Sequence, residues 1–215
     1  KYPRTLEKDT TLLESLGVHF VFAPTAEEMY SAEEMQARFS FDFNGLDEVM
    51  EGKMRPGHFN GVVQVVSRLF ELVRPTRAYF GEKDFQQLAI IRHMVEHSTL
   101  SSNFNNLKIV GCPIVREASG LALSSRNERL SDNEKQTAVA ISQTLIASLE
   151  WAKTDSLEEV QKRVIDTINA IDGLEVEYFE IVDKTTLQPT TTFDNAIGCV
   201  TVYCGPVRLI DNIQY

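Results

Sequence analysis

The sequence predicts an α/β fold in two parts. A parallel, doubly wound sheet is expected up to residue 111, and a small α+β domain with an antiparallel sheet over residues 112–215. Three observations predict this. Helical and extended patterns alternate as far as Val110. Residues 77–92 hold a β-prone run, a glycine break and a helix start in one stretch. After Gly111 the pattern changes to two long helices and then a group of strands.

In chain order, Thr5 stands as a helix cap before Leu6, Leu12, Leu13 and Leu16, and Gly17 ends that helix. Val18–Phe22 reads as a buried strand stopped by Pro24. Thr25 and Glu28 have capping-box spacing ahead of a short helix to Tyr30, and Ser31–Gln36 is polar and expected as loop. Phe39, Phe41 and Phe43 alternate with polar residues, which predicts a half-buried strand. Leu46–Met50 fits a helical turn. The Gly- and Pro-bearing stretch 51–59 reads as loop, and Val62, Val65, Val66, Leu69, Phe70 and Val73 mark a helix over 61–73. A strand at Arg77–Phe80, a helix from Asp84 to about His97, turn-forming residues 103–106 and a strand at Leu107–Val110 complete the alternation. Beyond it, Ser131/Glu134 and Ser156/Glu159 cap two helices, 132–152 and 157–171. Leu174–Val182, Ile197–Tyr203 and Val207–Ile210 are the expected strands.

The strand–turn–helix at 77–92 is the first functional candidate. Ligands of open α/β sheets bind outside the carboxyl ends of the strands. A helix N-terminus there offers unpaired N–H groups and partial positive charge to a phosphate, and Lys83 in the turn adds a full charge. The same residues also read as a plain structural cap, Asp84 with Gln87, beside a solvated lysine. Leu123-Ser124-Ser125-Arg126-Asn127 is the second candidate. Hydroxyls donate to phosphate oxygens and a guanidinium grips two of them, although a helix-approach loop with a surface arginine has the same pattern. Arg55 and His58 share a Gly/Pro loop, where a lone histidine is commonly a structural hydrogen-bonder. His93-Met94-Val95-Glu96-His97 fits the H-x-x-E-H zinc pattern, with both histidines on one helical face but no third ligand placed, so no metal is assigned to protein side chains.

Bulk properties narrow the classes. With a net charge of −10, the 215 residues are poorly suited to binding nucleic acid by phosphate neutralisation. Cys112, Cys199 and Cys204 form no C-x-x-C pair, which fits a reducing compartment, and no apolar run reaches membrane-spanning length. The expected location is the cytoplasm, with no membrane partner.

GEKDFQQ at 81–87, RPGHF at 55–59 and GLALSSRN at 120–127 together resemble the pantoate–β-alanine ligase family. The resemblance runs from Tyr2-Pro3-Arg4-Thr5-Leu6 to Arg208-Leu209-Ile210-Asp211-Asn212. It implies a Rossmann-like nucleotide- and pantoate-binding domain, here 1–111, and a C-terminal α+β lid, 112–215. It implies ATP-dependent condensation of pantoate with β-alanine through a pantoyl adenylate, with Mg2+ and in a homodimer. The positions matching ATP contacts are Gly81, Glu82, Lys83, Asp84, Val115, Leu123, Ser124, Ser125 and Arg126. Among these, Lys83, Ser124, Ser125 and Arg126 are the implied phosphate stabilisers. Gln87 matches the pantoate contact, and Arg55 and His58 fall in a substrate loop, which departs from the family pattern at Asn60. The family's PTMG and HxGH segments do not occur. The resemblance therefore implies a chain lacking roughly the family's first third and inactive alone. A non-catalytic nucleotide-binding or dimerising module, and more remotely a zinc hydrolase using His93 and His97, are the alternatives.

Overall fold

The computed structural model describes residues 5–36, 39–97, 100–104 and 106–215, so Tyr2–Arg4 of the resemblance and Asn105 of the expected 103–106 turn lie outside it. The chain forms two compact units, 1–39 and 40–215.

In the first unit, α1 (Leu6–Ser15) follows Thr5, but the Thr5 hydroxyl donates to the Asp9 carboxylate at 3.1 Å and does not cap the helix. The predicted Thr25/Glu28 capping box starts α2 (Ala26–Met29). Ser31–Gln36, expected as loop, contains α3 (Ala32–Gln36). Ser31 and Glu34 exchange backbone N–H groups and side-chain oxygens, a capping box that the polar composition conceals. The predicted strand at Val18–Phe22 does not form. A strand needs a neighbour to complete its hydrogen-bond ladder, and none of the described residues pairs with this run, whose Phe20 is 90% exposed.

The strand expected over Phe39–Phe43 runs from the last residue of the first unit into the second and is also absent. The chain turns at Asn44 and Gly45, which have φ of 50° and 80°. Phe41 and Phe43 instead pack edge to face, with ring centroids 4.9 Å apart. Next come α4 (Met50–Met54) and α5 (His58–Val73). Helix α5 starts at His58 rather than Gly61, because Gly57 takes the left-handed conformation (φ 78°) that lets the helix begin at once. His58 and Phe59 are therefore helical, not loop.

Strand β1 (Arg77–Gly81) leads through a 3-10 turn, Glu82–Asp84, into α6 (Phe85–Glu96), and the chain returns as β2 (Lys108–Cys112). The strands are parallel, from Arg77↔Lys108 to Gly81↔Cys112, with α6 as the crossover. Asp84 occupies the N-cap position, but its side chain caps nothing, so the Asp84/Gln87 capping box does not form. The 3-10 turn before α6 has already bent the chain there. Helix α6 is anchored by Leu88, Ile90, Ile91 and Met94, each at most 1% exposed.

From 115 to 123 the chain folds back on itself, with Leu123 N–H donating to the Val115 carbonyl. Helices α7 (Asp132–Trp151) and α8 (Leu157–Asn169) open on the predicted Ser131/Glu134 and Ser156/Glu159 capping boxes. They cover an antiparallel sheet, β3 (Leu174–Asp183), β4 (Ala196–Cys204) and β5 (Val207–Gln214), in the order β3-β4-β5. Leu145, Val160, Val164 and Ile168 meet Phe179, Val200 and Val202 in the core between helices and sheet. Among the described residues no helix is long and apolar enough to cross a membrane.

Candidate active site

Because β1 and β2 are parallel, both carboxyl ends lie on one side of their sheet. The 3-10 turn carrying Lys83 leaves one of them, and the segment bearing Val115 leaves the other. Two cavities open there, and Lys83 lines both. The first takes in about 430 Å³ with the open solvent at its mouth included, and is also lined by Glu51, Arg55, His58, Asp84, Gln87, Tyr178 and Asn212. The second takes in about 350 Å³ on the same measure and is lined by Ser124, Arg126, Asn127 and Leu209. Ile210 and Asp211 face both cavities, so β5 and Lys83 form the wall between them.

The turn before α4 is held in place by Gln86 on α6. Its buried side-chain amide donates to the Leu46 and Val49 carbonyls at 2.7 and 2.9 Å. Gly52 permits this closure, since a Cβ there would stand 2.1 Å from the Asp47 carbonyl oxygen. Glu51 is thereby set beneath the first cavity. It accepts from Tyr178 Oη (2.9 Å), Thr201 Oγ1 (3.1 Å) and both Arg208 Nη atoms (2.9 and 2.6 Å). Burial works to raise the Glu51 carboxyl, but the hydrogen bonds and charge of Arg208 prevail and hold it below the usual carboxylate range. Arg208 also bonds Glu177, so one guanidinium joins two carboxylates.

Burial lowers the Lys83 ammonium below the ordinary lysine value. Asp84 and Asp211 oppose that shift, and Arg126 adds to it. Burial, assisted by Arg55, likewise lowers His58 and favours its neutral form. Burial pushes the Cys199 thiol up to about 12, so this wall of the first cavity offers no thiolate.

The second cavity depends on the segment after β2. Ser124 Oγ accepts from the Arg126 N–H at 3.2 Å, which leaves the hydroxyl proton to donate elsewhere. Arg126 Nη1 donates to the Arg208 carbonyl at 3.0 Å and is thereby aimed along β5. Asn127 is buried and donates to Glu117 and the Ala122 carbonyl, which pins the loop from below.

The structure thus gathers Arg55, His58, Asp84 and Gln87 around Lys83 on one side, and Ser124 and Arg126 on the other. It does not bring Gly81, Glu82, Val115, Leu123 or Ser125 to either cavity. The Glu82 carboxylate lies against Gly111. Val115 and Leu123 are 66% and 52% exposed and hydrogen-bonded to each other through their backbones. At the zinc-like pattern, His93 Nε2 lies 3.1 Å from the Asp42 carbonyl, and among the described residues no three His, Cys, Asp or Glu groups gather as a metal site. Sequence reasoning missed Glu51, Tyr178, Asp211 and Asn212. The available signal was on β5, whose period-2 pattern places Arg208, Ile210 and Asn212 on one face and Leu209 and Asp211 on the other.

The family profile described as pantoate–β-alanine ligase matches residues 1–214. The pantothenate synthetase of Phocaeicola vulgatus is 60% identical over all of this chain and 75% of its own length. That of Bacteroides fragilis YCH46 is 56% identical over all of this chain and 74% of its own. The crystal structure of pantothenate synthetase from Thermus thermophilus superposes with a TM-score of 0.90 at 41% identity, covering 100% of this chain and 76% of that one. Pantoate–β-alanine ligase from Francisella tularensis, complexed with β-γ ATP and β-alanine, gives 0.73 at 31% identity, covering 99% and 71%.

Proposed function

Since the chain belongs to the pantoate–β-alanine ligase family, we propose that its paired cavities bind pantoate and ATP for condensation with β-alanine. The observation that carries this reading is the position of Lys83 in both cavities, with Gln87 in the first and Ser124 and Arg126 in the second. A phosphate chain beside Lys83 is met by an ammonium, a guanidinium and a hydroxyl donor. Pantoate held by the Gln87 amide lies across the lysine from it. The pantoate carboxylate attacks the α-phosphorus, the bond to the bridging oxygen breaks, and pyrophosphate leaves with that electron pair. Lys83, Ser124 and Arg126 stabilise the charge that builds on the phosphates. The β-alanine amine then attacks the acyl carbon, AMP departs, and the amide of pantothenate remains. The Francisella enzyme's complex with β-γ ATP and β-alanine supports the choice of ligands.

The residues present fit a Mg2+ that arrives with the nucleotide rather than in a protein cage. Asp84, beside Lys83, is the carboxylate able to hold it, and the ion would supply further neutralisation of phosphate charge. No HxGH pattern occurs among His19, His58, His93 and His97, so the proposal for these 215 residues alone is ligand binding without synthesis of pantothenate. A homodimer belongs to the same proposal.

The pantoate assignment is tested with Gln87→Ala. Losing the amide contact is expected to weaken pantoate about tenfold and leave ATP unchanged, as measured by calorimetric titration of each ligand. Unaltered pantoate affinity would remove Gln87 from the site.

A further inference from the structure

Strand β5 separates the two cavities, and its consecutive residues Asp211 and Asn212 are both buried polar groups, 6% and 4% exposed. Burying such side chains is costly unless their hydrogen bonds are made, and here each makes them with a different catalytic segment. Asn212 Nδ2 donates to the Glu82 carbonyl at 2.8 Å and to the Lys83 carbonyl at 3.0 Å. It therefore grips the backbone of the 3-10 turn on both sides of the peptide that carries the Lys83 side chain. Asp211 accepts from Arg116 Nη1 at 2.7 Å and Nη2 at 3.0 Å, and from the Asn212 N–H at 2.8 Å. Arg116 in turn pairs with Ala122 across the fold-back that precedes Ser124 and Arg126.

We propose that Asn212 and Asp211 are positioning residues that set the Lys83 turn and the Ser124–Arg126 loop at a fixed spacing for one polyphosphate. The proposal rests on reading Lys83 and Arg126 as phosphate contacts. The physical reason is geometric. The two segments follow different strands, and each is tied to β5, Asn212 from one face and Asp211 from the other. Two cations on separately mobile loops would lose ordering free energy when they closed on one anion, and tying both to one strand removes much of that cost before binding. The charged groups around Lys83 are Asp84 on its own turn, Asp211 on β5, Arg126 on the facing loop and Glu51 on α4.

The test is a double-mutant cycle on the 215-residue chain, with ATP as the probe. Asn212→Ala is expected to weaken ATP about tenfold, and this effect should fall below about twofold in a Lys83→Ala background, since Asn212 acts through Lys83. An equal loss in both backgrounds would reduce Asn212 to a general structural role and overturn the proposal. Carbon-13 NMR of labelled lysine supplies a second readout that needs no nucleotide. Release of the turn should expose Lys83 and move its titration up toward the ordinary lysine value, and an unmoved titration overturns the proposal. If Lys83→Ala leaves ATP affinity intact while Asn212→Ala still moves the titration, the phosphate reading fails and the positioning of Lys83 stands. Should the alanine variant not fold, Asn212→Ser carries the same cycle.

Discussion

Arg208→Met is expected to destabilise the protein by about 3–5 kcal/mol at neutral pH, because removing one partner of a buried ion network strands the others. Arg208, Glu51 and Glu177 have side chains only 16%, 13% and 15% exposed. Without the guanidinium, two carboxylates face each other from β3 and α4 with Tyr178, Thr201 and Tyr203 as their remaining hydrogen-bond donors and Arg55, 3.6 Å from Glu51, as the remaining cation. The effect carries a pH signature. The folded-state pKa of Glu51 lies below its ordinary value, so the stabilisation is complete above the ordinary carboxylate range of about 4.3 and is lost as pH falls through the depressed folded value. In the variant, burial no longer opposed by Arg208 pushes that carboxyl up, and protonating it relieves the cost of a charge left with the more distant Arg55 alone. The gap between parent and variant should therefore narrow as pH drops from about 7 toward 4. Chemical denaturation at both pH values measures it. A deficit under about 1 kcal/mol at neutral pH, or one that widens in acid, would contradict the ion-network account.

Lys83→Ala and Arg126→Ala should each weaken ATP by about 1.5–3 kcal/mol, roughly ten- to 150-fold, the range for loss of a charge-assisted hydrogen bond. The lysine contact carries a pH dependence of its own. Burial lowers the Lys83 ammonium, so it loses its proton earlier than an ordinary lysine as pH rises. ATP affinity of the parent should decline with rising pH from below about 10.4, the ordinary lysine value, and Lys83→Ala should lack that component. Isothermal titration across the alkaline range reads both quantities. Full affinity in both variants would remove the second cavity from nucleotide binding.

What the sequence made legible was local. The Ser131/Glu134 and Ser156/Glu159 boxes place the starts of α7 and α8 because a cap is decided within four residues. Alternation over Leu174–Val182 marks β3, while β4 is legible as a β-prone apolar run that the structure buries along nearly its whole length. The same alternation misled at Phe39–Phe43, where Asn44 and Gly45 turn the chain and aromatic stacking replaces a ladder. Val18–Phe22 has strand composition, but pairing is a property of a neighbour and not of the run itself. At the site, Lys83, Ser124 and Arg126 were readable because each sits in a short motif with its own chemistry. Glu51, Asp211 and Asn212 were not, since nothing near Glu51 in the sequence announces Arg208, and nothing near Asn212 announces Lys83. Their roles arise only when β5 lies between the two cavities.

The bonds that fasten Glu51 to the C-terminal sheet join residues 127, 150 and 157 positions apart in sequence. Those that fasten the Lys83 turn to Asn212 span 129 and 130 positions. On the ribosome, the turn and α4 emerge long before their partners exist. The helices α7 and α8 with β3 and β4 are contiguous in sequence and can assemble on short-range contacts, but β5 is made after all of them. During synthesis, therefore, the wall between the two cavities arrives after the segments that it ties together. A nascent chain halted before Val207 has Lys83 and Arg126 but no strand to set the spacing between them.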